Sequence, residues 1–237
     1  MQPKDKASLM QTDANAPIFN PLPWIVWALV LPLVAIEVLV SLGTGGLAGG
    51  PEAIGWRIEA IQRLAFAPQQ LREGWQTGLW QAETFRRMLT YPLVHLDFGH
   101  ALFAVAMLLA LGKWVGEVFR WWAVLVVVAG ASVAGAFAYT LVPDLQGALI
   151  GAYPAVYGLI GAFTFTLWVR LSGTGRLQVQ AFSLIGLLML FQLVFGAIFG
   201  GGWFWLADLA GFGAGFLLSF VVSPGGWSRV GARLRQR

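Results

Sequence analysis

Few polar side chains interrupt the long apolar stretches of this chain, and those few are the candidates for chemistry. His95 and His100 are its only histidines, Tyr153 stands beside Pro154 at the head of one apolar stretch, and Asp208 lies within another. A carboxyl group inside a membrane is costly unless it faces a cavity or a partner. The chain has no cysteine, and two histidines disfavour a zinc centre, so we expect no metal and no cofactor. Proton exchange or hydrogen bonding among these side chains is the chemistry that remains.

The composition indicates that membrane helices must position these residues. Hydrophobic residues make up 58% of the 237 residues, charged residues make up 11%, and the mean hydropathy is +0.71, which excludes a soluble globule. A spanning helix needs about 20 mainly apolar residues. Six segments qualify, at residues 24–42, 98–115, 121–142, 149–169, 179–199 and 203–222. We therefore predict an all-α membrane protein, built as a bundle of six transmembrane helices.

The distribution of basic residues predicts the orientation of this bundle. An even number of spans places both termini on one side, which then holds ten of the Lys and Arg residues, whereas the other side holds five. Because basic residues concentrate on the cytoplasmic side, both termini are predicted to be cytoplasmic. The net charge of +4 follows from this bias, and it does not indicate nucleic-acid binding. No signal peptide is expected, since the first apolar run begins after 23 polar or Pro-containing residues.

The segments outside the spans divide the chain into three predicted regions. Residues 1–20 are predicted to form a disordered cytoplasmic tail, residues 21–225 the membrane domain, and residues 226–237 a basic cytoplasmic tail. In the loop 43–97, apolar residues at helical spacing predict two short amphipathic helices, one from Ile54 to Leu64 and one around Trp75. These helices lie either in the membrane interface or in a solvated hairpin whose apolar face packs on the bundle. Glu37, in the first span, is expected to be exposed to water.

Five short motifs follow one another between residues 80 and 220. They read TFRRMLTYPLVH at residues 84–95, HLDFGHALFA at 95–104, GKWVGE at 112–117, GAYPAVYG at 151–158 and ADLAGFGAG at 207–215. Each motif alone is weak evidence, because small residues and G-x-x-x-G patterns are common wherever membrane helices pack closely. Their fixed order within six apolar segments is far more specific.

In this order the motifs resemble those of the rhomboid family of intramembrane serine proteases (peptidase S54-like), over more than half of the chain. The resemblance implies that His95 belongs to a structural motif before the second span and that His100 helps to form the oxyanion hole. It also implies that Tyr157 is the aromatic residue on which the family's catalytic histidine stacks. Gly211 and Gly215 match the G-x-x-x-G of the sixth span, and the glycine-rich faces of the fourth and sixth spans are expected to pack closely.

Three positions depart from the family's catalytic pattern. After the retained Gly151, Tyr153 stands in the place of the nucleophilic serine. Asp208 stands in the place of the catalytic histidine, and Ala104 in the place of the oxyanion-hole asparagine. Pro154 also replaces a glycine and lacks an N–H. Because a serine protease needs a nucleophile, a base and oxyanion donors, we predict a catalytically inactive member, a pseudoprotease.

Two further expectations concern the hydroxyl groups. No other serine lies in the turn before the fourth span, and those in or near spans are predicted to be helix-packing or capping hydroxyls: Ser132, Ser172, Ser183 and Ser219. If the fourth and sixth spans pack as in the family, the Tyr153 hydroxyl would donate to Asp208, with His100 nearby. This polar group is either a binding or gating site or a satisfied remnant of the family's catalytic centre.

The expected function is therefore binding of transmembrane client proteins without cleavage, in a bacterial inner membrane, with client helices entering beside the fifth span. One alternative is a divergent but active rhomboid peptidase, although the sequence offers no recognisable nucleophile. The other is a small-molecule transporter, which is disfavoured because the chain shows no inverted repeat or paired broken helices. Expected partners are client proteins and the lipid bilayer, with no nucleic acid.

Overall fold

The computed structural model describes residues 21–199 and 202–226, and over these residues the chain is helical without any β-strand. This confirms the predicted all-α fold class. The helices are α1 (Trp24–Thr44), α2 (Trp56–Leu64), α3 (Pro68–Thr77), α4 (Ala82–Thr90), α5 (Phe98–Val118), α6 (Trp121–Thr140), α7 (Tyr153–Arg170), α8 (Arg176–Val179), α9 (Ser183–Phe199) and α10 (Phe204–Val222). The predicted tail at residues 1–20 and all but the first residue of the predicted tail at residues 226–237 lie outside the described residues.

Five helical segments in the described part of the chain are long and apolar enough to cross a membrane. They are α1, α5, α6, α10 and the stretch Arg176–Ile198 that contains α9. These match five of the six predicted spans. The remaining one is α7, whose 18 residues include Tyr, Pro, Gly and Arg residues that lower its mean hydropathy. Most of its side chains are buried, so neighbouring helices, rather than lipid, surround it.

Glycines bring α7 and α10 into direct backbone contact. A Cβ atom added at Gly215 would collide with the carbonyl oxygen of Gly158, and one added at Gly211 would collide with that of Pro154. Between membrane helices, close approach replaces the missing hydrophobic driving force with van der Waals contact. The predicted close packing of these two glycine-rich spans is therefore confirmed.

Helix α9 packs against the bundle mainly through its first half. Ile185 is buried there, and Leu188 and Met189 pack on the core. In the second half most side chains are exposed: Leu190, Phe191, Leu193, Val194, Phe195 and Ile198. Gln192 is the exception, because its side chain points back into the bundle and is half-buried.

The loop before α5 contains the two predicted amphipathic helices, α2 and α3, and also α4, which was not predicted. Three of the nine residues of α4 are charged, and its buried residues are Thr84 and Met88, one turn apart. That pair is too short an apolar pattern to predict a helix. On the α2 side, Ile54 and Ile58 are exposed, whereas Ile61 packs on the bundle. A position of α2 in the interface stays a prediction.

Two arginines fasten this loop to the bundle. The guanidinium of Arg57 donates to both carboxylate oxygens of Glu37, at 2.7 and 3.1 Å, and to the backbone carbonyl of His95 at 3.0 Å. Arg72 donates to the carbonyl of Thr140 at 3.0 Å and to that of Val142 at 2.8 Å, where α6 ends. Glu37 is therefore buried and paired, and the expectation that water surrounds it is wrong. The counter-ion comes from a loop helix 20 residues further along the chain.

Candidate functional site

The turn before α7 places Tyr153 at the first position of that helix. Gly151 has a φ angle of +90°, a conformation that favours glycine. Its N–H donates to the carbonyl of Tyr91 at 3.1 Å, and a Cβ atom here would lie 2.9 Å from Cε1 of His100. Pro154 occupies the first turn of α7, where a missing N–H breaks no helical hydrogen bond. Glycine is thus required at position 151 for both the turn and the approach of His100.

The two histidines lie against each other at the start of α5. Their ring centroids are 5.2 Å apart. The Asp97 side chain caps α5 by accepting the N–H of His100 at 2.9 Å. His95 is almost completely buried, and its Nε2 accepts the N–H of Ala152 at 3.3 Å. Burial, together with the proximity of His100, lowers the pKa of His95 from 6.5 to about 4. The ring of His95 is therefore neutral at pH 7 and holds the turn before α7 in place.

Tyr153 stacks on His100. The ring centroids are 4.8 Å apart with an interplanar angle of 14°. Its hydroxyl donates to the backbone carbonyl of His100 at 3.3 Å. The expected hydrogen bond from Tyr153 to Asp208 is therefore wrong, because the tyrosine ring turns toward α5. The expectation that His100 lies near Tyr153 is confirmed by this stacking.

Asp208 is satisfied instead by a residue that the sequence analysis missed. Its Oδ2 accepts the side-chain amide N–H of Gln192 at 2.6 Å, and the Oε1 of Gln192 in turn accepts the hydroxyl of Tyr157 at 3.3 Å. Asp208 is only 3% exposed. A signal for Gln192 was present in the sequence, since it is the one polar side chain in α9 beyond its first residue. A polar residue inside an apolar span indicates a partner in the bundle.

A cavity of about 190 Å³ lies between His100, Tyr153, Gln192 and Asp208. Its walls are formed by Leu96, His100, Leu149, Ile150, Tyr153, Pro154, Gln192, Phe204 and Asp208. No serine, threonine or cysteine is among these lining residues. Ala104 is fully buried in the apolar core and is also absent from the walls. The cavity thus offers a carboxyl group, an amide and an imidazole to a ligand.

Two of the serines predicted to be packing or capping hydroxyls form ordinary hydrogen bonds within helices. The hydroxyl of Ser132 donates to the carbonyl of Val128 at 2.9 Å, and that of Ser219 donates to the carbonyl of Gly215 at 2.7 Å. Both bonds lie within a single helix, one turn back. The prediction that these two are packing hydroxyls is confirmed. Across the described residues, no three His, Cys, Asp or Glu side chains lie close enough together to hold a metal ion.

The retained glycines of α10 determine where Asp208 lies. Gly211 and Gly215 let α10 approach the backbone of α7. The carboxyl group of Asp208, one turn before Gly211, therefore reaches the cavity beside the start of α7. His95, His100, Gly151 and Tyr153 meet on one side of this region, and Tyr157 joins it through Gln192. Of the predicted site positions, His100, Tyr153 and Asp208 line the cavity, whereas Ala104 lies in the apolar core away from it.

Comparison with known proteins agrees with this architecture. The rhomboid domain family matches residues 82–225, which is more than half of the chain and includes both histidines, the turn before α7 and all of α10. No curated protein gives a significant match to the chain. The match covers every position of the cavity described above, and the chain therefore belongs to the rhomboid family.

Proposed function

We propose that this protein binds the transmembrane segments of client proteins without cleaving them. The observation that carries the proposal is the composition of the cavity at the head of α7. It contains a buried carboxyl group and a stacked tyrosine, and no aliphatic hydroxyl or thiol lies on its walls. Such a site is able to form hydrogen bonds with a guest helix, but it lacks an activated nucleophile.

Tyr153 and Asp208, the two residues predicted to stand at the positions of the family's serine and histidine, contact other side chains and not each other. The Tyr153 ring is held on His100, and its hydroxyl donates to a backbone carbonyl. Asp208 accepts the amide of Gln192. A nucleophile and its base must be within hydrogen-bonding reach of each other, and here both point to other partners. Loss of such a unit lowers the rate by several orders of magnitude, which supports an inactive member of the family.

The loose packing of α9 supports lateral entry of a client from the bilayer. Its second half exposes apolar side chains, and among the described side chains of that half Gln192 is the one that lines the cavity. A client helix that displaced this half would reach Asp208 directly. We place the protein in a bacterial inner membrane with six spans and both termini in the cytoplasm, as the distribution of basic residues predicts.

The test is to co-express the tagged full chain with a single-span reporter that carries a photoreactive residue in its span and a tag at each end. One gel then scores crosslinked product and cleavage fragments together. A Tyr153→Phe variant removes the phenolic hydroxyl while it preserves the stacked ring. A second reporter with the photoreactive residue outside its span serves as the control for nonspecific crosslinking.

A crosslinked but uncut reporter is the expected result, and it should be unchanged by Tyr153→Phe. Fragments that depend on this protein and disappear in the Tyr153→Phe variant would show a tyrosine nucleophile and overturn the proposal in favour of an active peptidase. Absence of any span-specific crosslink would also overturn it, since client binding would then have no support.

A further inference from the structure

Asp208 is a buried carboxyl group that pairs with no basic side chain in the part of the chain that the structure describes. The ion pairs among the described residues join Glu37, Glu59 and Glu83 to arginines of the loop before α5, and none involves Asp208. Acidic groups inside membrane proteins usually pair with a cation, a backbone group or a water-filled cavity. Here one side of the carboxyl group meets the cavity at the head of α7.

The donor that Asp208 does have lies on the stretch Arg176–Ile198, which has the smallest buried share of the five candidate spans. Gln192 belongs to the second half of α9, where the neighbouring side chains Leu190, Leu193 and Val194 are exposed. Its amide is neutral and donates one hydrogen bond to Oδ2 of Asp208, so it brings no positive charge to that carboxyl group. A displacement of this half of α9 would remove the amide and leave the carboxyl group open to another donor.

The cavity has room for such a donor. Its volume of about 190 Å³ corresponds to roughly six water-sized groups, at about 30 Å³ each. A lysine side chain beyond its Cβ atom has four heavy atoms. Apart from His100, Gln192, Asp208 and the tyrosine hydroxyl, the walls are apolar, which suits the methylene groups of such a side chain.

We infer that Asp208 recognises a lysine-type cationic side chain in the transmembrane segment of a client, and that the amide of Gln192 occupies this carboxyl group when no client is bound. The inference rests on the proposed function, because it names the chemistry by which the same site selects its clients. It differs from that function in requiring a particular residue in the client span.

The physical basis is charge complementarity in a medium of low dielectric constant. The attraction between an ammonium and a carboxylate grows as the dielectric constant falls, and it exceeds that of a neutral amide for the same carboxylate. A lysine in the middle of a client span is itself poorly solvated by lipid. Pairing with Asp208 therefore reduces the free-energy cost of burying both the ammonium and the carboxyl group. An acidic residue at the same depth would be repelled.

The experiment uses the full chain in membranes and four single-span reporters that differ at one mid-span position, which carries Leu, Gln, Lys or Glu. A photoreactive residue one turn away reports occupancy of the site. The chain is tested as wild type, as Asp208→Asn, as Gln192→Leu and as Glu117→Gln. Glu117 is an exposed acid at the end of α5, so its variant is the matched control for the loss of one carboxyl group. Thermal unfolding of each variant in detergent verifies that it is folded.

We expect the Lys reporter to crosslink to the wild type about tenfold more than the Leu reporter, as a charge-assisted hydrogen bond would give. The crosslinking yield of the Gln reporter should lie between these two. The yield of the Glu reporter should equal that of the Leu reporter or fall below it. Asp208→Asn should reduce the crosslinking of the Lys reporter to the level of the Gln reporter or below. Glu117→Gln should leave the crosslinking of all four reporters unchanged. Gln192→Leu should raise the Lys signal, because it removes the competing amide. A satisfied structural remnant would show no such increase.

The possible failures are distinguishable. Equal crosslinking of the Leu and Lys reporters would overturn the role of Asp208 while it leaves client binding intact. A Lys preference that survives in Asp208→Asn would assign recognition to another residue and also overturn the inference. Span-specific crosslinking by none of the four reporters would contradict both the inference and the proposed function.

Discussion

The amide nitrogen of Gln192 lies 2.6 Å from Oδ2 of Asp208, and this contact joins α9 to α10 across the candidate site. Gln192 also accepts the hydroxyl of Tyr157, so one side chain links three helices. Asp208, which the resemblance predicts to stand in the place of the catalytic histidine, is here the acceptor of an interhelical hydrogen bond. Most of the neighbouring side chains of α9 are exposed, so this bond is the main polar restraint on the second half of that helix.

Replacing Gln192 by leucine should loosen α9. The variant removes a donor from a buried carboxyl group, and an unsatisfied group of this kind costs about 1–3 kcal/mol. We expect a lower unfolding temperature in detergent and faster hydrogen exchange in residues 190–198. Leu193→Ala, at an exposed position in the same turn, is the control and should leave exchange at α7 and α10 unchanged. Unaltered exchange in Gln192→Leu would contradict the role of this contact.

Alanine substitutions along α10 should destabilise the protein at the glycines that contact α7 and not at a glycine without such a contact. A Cβ atom at Gly211 or Gly215 would collide with the backbone of α7, and overpacking of this kind costs about 1–3 kcal/mol or more. Gly213 has no neighbouring atom within 4 Å of such a Cβ, so Gly213→Ala should be neutral or stabilise the helix by about 0.5–1 kcal/mol. Chemical denaturation of the three variants measures the difference. Equal effects at all three positions would contradict the close contact of α7 and α10.

The Arg57 ion pair should matter far more than the exposed pair on the same helix. Arg57→Ala leaves Glu37 buried without its counter-ion and removes a donor from the carbonyl of His95, and loss of one partner of a buried pair costs about 3–5 kcal/mol. The pair of Arg63 with Glu59 is exposed, so Arg63→Ala should cost less than about 1 kcal/mol. Unfolding measurements on the two variants compare them directly. Similar losses would show that Glu37 has water access after all.

The neutral state of His95 predicts a loss of stability in mild acid. Its pKa is about 4 in the folded protein and near 6.5 when the chain is unfolded, so the unfolded state binds the extra proton first. The stabilisation is fully present above pH 6.5 and is lost as the pH falls from 6.5 toward 4, by up to about 3 kcal/mol. His95→Gln should weaken the pH dependence in this window.

The carboxyl group of Glu83 supplies the control for that pH experiment. The hydrogen bonds from Arg86 and Arg87 lower the pKa of Glu83 from 4.5 to about 2. The stabilisation by Glu83 is present above pH 4.5 and lost as the pH falls from there toward 2, so Glu83→Gln should change only the more acidic part of the curve. If His95→Gln left the region between pH 6.5 and 4 unchanged, the assignment to His95 would be wrong.

The positions of most helices were predictable because the relevant signals are local in the sequence. An apolar run of about 20 residues predicts a spanning helix wherever it occurs, and the predicted starts of the first three spans, Trp24, Phe98 and Trp121, coincide with those of α1, α5 and α6. The short helix α4 was missed because it is held by Arg–Glu contacts and two buried side chains, which leave no extended apolar pattern.

The sequence by itself determined the fold class, the rhomboid resemblance and the contact of α7 with α10, since apolar length, motif order and glycine spacing do not depend on how helices are rotated. Only the tertiary structure decided the polar partners. Tyr153 turned to His100 rather than to Asp208, Gln192 took the place of the expected donor, and Glu37 found its arginine in a distant loop helix. The physical reason is that a side-chain hydrogen bond needs atoms within about 3 Å, and the rotation and depth of each helix, which fix that distance, arise from packing of the whole bundle.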